Sequence, residues 1–225
     1  MQQIAETQTQ THQTAEPQVH TVQDFTPPEV DYDYDDSNEP QVRYWIKDEY
    51  YKLAELGFFE GRRTELIEGE IIEMSAMNVA HATTIRLCLA ALREVFAKGF
   101  VVDSQLPFSL GSATEPKPDI AVFRGGLRDF IHAHPKDALL IVEISDTTLR
   151  YDRVQKSSLY AKNGIEDYWI VNINARCVEV YRRPFEHKDA PHGFYYLNTL
   201  TFIESDEISP LAAPETMIKV ADLLP

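Results

Sequence analysis

The first forty residues contain no lysine and no arginine. No apolar run in the 225-residue chain approaches the roughly 18 residues that a helical bilayer crossing needs, so a membrane partner is not expected. The opening stretch "MQQIAETQTQTHQTAEPQ" has neither the basic region nor the apolar stretch of a secretory leader, and none is expected. Only two cysteines are present, Cys88 and Cys177, far apart and in no CxxC pattern. That excludes a disulfide framework and a thiolate zinc site, and it suits reduced core thiols in a cytoplasmic protein. No internal repeat and no aromatic RNA-binding strand can be found.

Acid is abundant. The net charge is -15, and nine of the negative charges fall in residues 1–40, leaving -6 for the rest. An acidic body counts against tight nonspecific binding to nucleic acid. The Gln/Thr-rich and then acidic composition of 1–40 cannot bury enough apolar surface to offset chain entropy, so a disordered tail is expected there.

From Trp45 onward the pattern changes. "WIKDEYYKLAELGFF" spaces Ile46, Tyr50 and Leu53 for a helix, with Gly57 as its stop. "RTELIEGEIIEMS" predicts a hairpin turning at Glu68-Gly69. "NVAHATTIRLCLAALREVFAKG" predicts the clearest helix, ending at Gly99. Strands are expected in "FVVDSQLPFSL", "KPDIAVFRGG" and "DALLIVEIS", the last apolar on both faces and therefore central. "YDRVQKSSLYAKNG" reads as a helix, and "EDYWIVNI", "RCVEVYRR" and "GFYYLNTLTFIE" as further strands. "MIKVADLLP" reads as a short closing helix or extended segment. This mixed order predicts an α/β or α+β domain with one central sheet.

Within that order, Asp119 begins one strand and Glu143 nears the end of the next. If the two strands pair, both carboxylates emerge at one edge. They would repel, raising one pKa, unless a cation sits between them. Mg²⁺ suits such a site because it prefers oxygen ligands and keeps several waters, and Mn²⁺ is a related choice. A metal-bound water can attack a phosphodiester, and a nearby ammonium can stabilise the charge that develops. Glu143 in a doubly apolar strand is costly unless it is paired, so a buried ion pair is the alternative explanation for it.

The segments "ELIEGEIIEMSAMNVAH", "KPDIAVF", "LLIVEISDTTLRYDRVQKSSLYAKNGIEDYWIVN" and "VEVYRR" resemble the PD-(D/E)xK nuclease superfamily, and more narrowly its restriction-endonuclease-like Uma-two family. The resemblance covers roughly residues 43 to 205. It implies a restriction-endonuclease-like core in 41–225: a central mixed β-sheet flanked by helices, with an N-terminal helix and hairpin. It also implies a Mg²⁺-dependent endonuclease with Asp119 and Glu143 as metal ligands. The superfamily lysine belongs two residues after the acid, where this chain has Ser145; Lys156, on the following helix with Asp152 at i, i+4, fits the displaced role. Glu65, ahead of Glu70, fits the glutamate from a preceding element, and His81 matches a family position. Asp152 also suits a simple helix cap.

Arg150 and Arg153 suit phosphate contacts, or plain surface charge. DNA is the expected substrate, ahead of RNA or a small phosphodiester, and cutting a duplex favours a homodimer. The alternative is a nuclease fold that binds or regulates without cleaving.

Overall fold

The computed structural model describes residues 40–225, so the expected acidic tail lies almost wholly outside the described residues. Helix α1 (Lys47–Glu55) is followed by a hairpin of β1 (Arg63–Ile67) and β2 (Glu70–Met74), and then by α2 (Val79–Val95). Next come β3 (Phe100–Asp103), β4 (Ile120–Arg124) and β5 (Leu140–Ser145). A helical crossover follows, made of α3 (Leu149–Tyr151), a π-helical turn (Asp152–Lys156) and α4 (Ser157–Lys162). The chain then forms β6 (Asp167–Asn172), β7 (Cys177–Glu186) and β8 (Phe194–Ile203). It closes with the short strands β9 (Glu207–Ile208) and β10 (Ile218–Lys219) and a 3₁₀ turn, Val220–Leu223.

Strands β3 to β8 form one six-stranded sheet in sequence order. Only β5 and β6 run parallel. A parallel pair needs a crossover, and here the crossover is the helix that carries Lys156. Strand β5 is paired on both edges and buried along its whole length, as its unbroken apolar run predicts.

Alternation across β4 and β5 sorts the core into two layers. Ile120, Val122, Val142 and Ile144 pack with Ile85, Cys88 and Leu92 of α2 on one face. Ala121, Phe123 and Ile141 pack with Tyr160 and Ala161 of α4 on the other. By the same alternation Glu143 faces α4. The antiparallel register Ile120↔Val142 places Asp119 across from it.

The hairpin turn forms where expected, with Glu68 at φ 48° and Gly69 at φ 82°. Two successive left-handed residues give the turn whose twist matches that of the strands. A Cβ on Gly69 would lie 2.5 Å from Tyr44 Cβ and 3.2 Å from the Trp45 carbonyl oxygen. Gly69→Ala combines that clash with a disfavoured φ and is expected to cost about 1–3 kcal/mol, read as a lower midpoint in thermal denaturation.

Two boundaries depart from the sequence pattern. Helix α2 stops at Val95 with Phe96 as its cap, short of Gly99. The strand expected through "FVVDSQLPFSL" ends at Asp103 because Gln105 turns into the left-handed region at φ 57°. No helix among the described residues is long and apolar enough to cross a membrane.

Candidate active site

Glu143 is fully enclosed between the sheet and α4. Its Oε1 accepts the Tyr160 hydroxyl at 2.7 Å, and its Oε2 accepts the Asp119 N–H at 3.1 Å. Asp119 returns the link one residue on, its Oδ2 accepting the Ile144 N–H at 3.0 Å. Its Oδ1 accepts the Gln105 side-chain amide at 3.1 Å. Each acid thus accepts a backbone N–H from across the antiparallel β4–β5 pair, Glu143 from Asp119 and Asp119 from Ile144.

The crossover helix brings the amine. Lys156 Nζ lies 2.6 Å from Glu65 Oε2 and 3.3 Å from Glu143 Oε1, and the residue is 1% exposed. Glu65 reaches in from β1, and its Oε1 accepts the Lys117 N–H at 3.2 Å. Hairpin, β5 and helix therefore meet through one buried ammonium.

The π turn positions it. Its defining bond runs from the Ser157 N–H to the Asp152 carbonyl, which also accepts the Tyr168 hydroxyl at 3.1 Å. Asp152, Lys156 and Tyr160 all end up buried. Such turns insert a residue into a helix and recur at functional sites. Asp152 does not cap its helix; Thr148 holds the cap position of α3. The Asp152 carboxylate is buried and takes hydrogen bonds from Ser145 and from Thr148, the latter at 2.7 Å. Ser145, where the superfamily pattern wants lysine, anchors that neighbouring acid instead.

His81 enters from α2, whose cap residue Asn78 accepts the His81 N–H at 2.9 Å. The imidazole Nε2 stands 3.1 Å from Asp119 Oδ2, but off the line of a hydrogen bond, and it is buried without another partner.

Burial is the largest influence on the charge of these groups. It pushes the Glu143 carboxyl up to about 8, against the pull of Lys156 and with the help of Asp119, Asp152 and Glu65. Burial alone would raise Asp119 too. The contacts from His81, Ile144 and Gln105 outweigh it and hold that carboxyl below its ordinary value. Burial would lower Lys156, yet Glu143 and Glu65 together drive it above the usual lysine range.

A cavity of about 50 Å³ is lined by Glu65, His81, Asp119, Glu143 and Asp152, with Arg63 and Lys117 at one side. That is room for one or two water-sized particles. Among the described residues no group of three or more His, Cys, Asp or Glu forms a ready-made metal cage. The donor set nevertheless fits a hard cation. Each oxygen of a carboxylate carries two acceptor positions. Asp119 Oδ1 and Glu143 Oε2 each receive one described hydrogen bond and keep one position free. A two-acid set with space for water suits Mg²⁺ or Mn²⁺.

The structure thus brings Asp119, Glu143, Glu65, His81 and Lys156 together. Lys156 is not on the cavity wall; it is buried behind the acids against Glu65 and Glu143. Glu70 is exposed on the hairpin. Arg153 is not at this cavity: its guanidinium forks onto Glu179 of β7 at 2.6 and 2.8 Å. Arg150 is exposed and lines a neighbouring surface groove with Thr147 and Thr148. Sequence reasoning missed Tyr160, Gln105 and Lys117. Tyr160 follows Lys156 by four residues, which was the available signal; no spacing rule points to the other two.

Residues 48–213 match the family model described as "Uma2: Putative restriction endonuclease". In structure the chain is similar to a crystal structure of a "putative nuclease belonging to DUF820" from Anabaena variabilis ATCC 29413. The TM-score is 0.54 at 19% identity, covering 71% of this chain and 88% of that one. None of the curated proteins matches the sequence.

Proposed function

The chain belongs to the Uma2 family of putative restriction endonucleases, and we propose that it is a divalent-metal-dependent nuclease that hydrolyses phosphodiester bonds in DNA. The observation that carries this reading is the pair of buried acids, Asp119 and Glu143, linked across β4 and β5 and lining one small polar cavity.

Asp119 and Glu143 would hold Mg²⁺ or Mn²⁺, which when bound supplies an activated water and offsets charge on the phosphate. Lys156 acts through the acids. Its ammonium lets Glu65 and Glu143 lie buried in fixed positions, so it is a positioning residue. His81 Nε2 faces the cavity next to Asp119 and can pass a proton or bond a phosphate oxygen. Cutting both strands of a duplex calls for two such sites, so a homodimer is part of this reading.

A second reading, a binding module without cleavage, is favoured by the placement of Lys156 behind the acids and by the acidic body of the chain. One experiment separates the two. Wild-type protein, incubated with supercoiled plasmid and Mg²⁺ or Mn²⁺, is expected to nick it, and Asp119→Asn is expected to lose the nicking together with metal binding. Metal binding by wild type with no cleavage of any DNA or RNA tested would favour the module.

A further inference from the structure

We propose that the groove beside the acid cavity, built on Arg63, Lys117 and Gln105, is a seat for a neighbouring phosphate of a single DNA strand whose scissile phosphate lies at Asp119 and Glu143. This rests on the nuclease reading above and extends it to how the strand is held.

The groove holds about 290 Å³ and adjoins the acid cavity, sharing Arg63, Glu65, Met74 and Lys117 with it. That size is at the lower end of small-ligand sites, about one nucleotide unit, and it does not have the width of a duplex. The charge there is of the right sign. Lys117 is half-buried, and its ammonium is held by neutral groups: the Thr64 carbonyl at 2.9 Å, the Tyr50 hydroxyl at 3.4 Å and the Tyr50 ring at 5.9 Å. Arg63 is half-buried, and among the described residues its side chain makes no ion pair. Of the acids nearby, Glu65 and Glu143 share Lys156, Asp119 lies 3.1 Å from His81, Asp152 is bonded by Ser145 and Thr148, and Glu73 stands 3.6 Å from Arg62. Two cations that make no ion pair among the described residues, lining both the groove and the acid cavity, suit a phosphate.

Gln105 ties the groove to the chemistry. It lines the groove while its side-chain amide holds Asp119 Oδ1, and its backbone sits at φ 57°, strained for a residue with a side chain. Strain of this kind persists only where the surroundings impose it. A strand bound at Arg63 and Lys117 would therefore press on the residue that orients Asp119.

The test is fluorescence anisotropy of full-length protein with a labelled single-stranded DNA oligonucleotide, in Ca²⁺, across about 50 to 200 mM NaCl. Arg63→Gln and Lys117→Gln are each expected to weaken binding about tenfold. Each should also reduce the salt slope by about 0.7, the value for one phosphate contact on a single strand. Lys117→Arg, which keeps the charge, should retain the wild-type slope, and Arg128→Gln, on the distant turn Leu127–Phe130, should change nothing. Removing a positive charge from the lining of the acid cavity should leave the Mg²⁺ isotherm without DNA no weaker than that of wild type. Wild-type affinity and slope in both glutamine variants would overturn the seat and leave the nuclease reading standing. A Mg²⁺ isotherm weakened in them would assign both side chains to holding the acid cluster and overturn it also. Failure of wild type to bind the single strand while it binds a duplex of the same sequence would overturn the seat and leave the nuclease reading standing, and failure to bind either would remove both.

Discussion

Lys156→Met is expected to destabilise the fold by about 3–5 kcal/mol, with a deficit that grows with pH. The methionine is close in length and apolar, so packing is nearly kept. What is lost is the one cation between Glu65 and Glu143, both buried and bonded to it at 2.6 and 3.3 Å. Glu65, and Glu143 as well once pH approaches about 8, are then enclosed without a counter-ion and must either bind protons or open the site to water. Protonation is easy in acid and costly above neutrality, so denaturant titrations at about pH 5 should show a much smaller deficit than at about pH 8. Adding Glu65→Gln to Lys156→Met should recover part of the loss at pH 8. A deficit equal at both pH values would mean that the ammonium stabilises by packing alone.

The reach of the sequence is uneven in a way that follows from physics. The strand order and the acid pair are legible because β-strand alternation and an apolar run interrupted by one acid are local patterns. "KPDIAVF" and "LLIVEIS" each read as a strand with an acid at a marked position, and their pairing then brings Asp119 to Glu143. The meeting of Lys156 with Glu65 spans 91 positions and depends on how the crossover helix packs under the hairpin. Residue types suggested those two partners, but no spacing fixes the distance or shows that the amine lies behind the acids. Gln105 was hidden for a different reason. Its role comes from a left-handed backbone turn inside a stretch that reads as a strand, and nothing in "VVDSQLPF" marks that turn. Arg153 misled because a basic residue beside a predicted site resembles a phosphate contact until Glu179, on a strand far along the chain, is seen to hold it.

Glu143→Gln is expected to abolish metal-dependent cleavage, by roughly 10³-fold or more, while leaving the metal-free protein folded. The loss follows from several kcal/mol of charge stabilisation at the reacting phosphate, with each 1.36 kcal/mol worth a factor of about ten. The retained fold follows from the state of the carboxyl that is replaced. Burial holds Glu143 up at about 8, far above its ordinary value, so the folded protein binds a proton there more tightly than the unfolded chain does. The stability from that proton is fully present below the unfolded value and is lost as pH rises through about 8. Glutamine cannot ionise, though its amide nitrogen cannot accept one of the hydrogen bonds that the two carboxyl oxygens take, a loss of about 1–3 kcal/mol. The difference in stability should therefore move in the variant's favour from about pH 5 to about pH 9 in the absence of metal. Bound metal reverses the order, because a cation needs the deprotonated acid. Mg²⁺ affinity in wild type should thus climb with pH up to about 8, with proton release on binding, as measured by calorimetry in two buffers of different ionisation enthalpy. Glu143→Gln should show neither the climb nor the release. Metal binding by wild type that is flat between about pH 6 and 8 would mean that Glu143 is already ionised in the closed site, held so by Lys156, Tyr160 and the Asp119 N–H together.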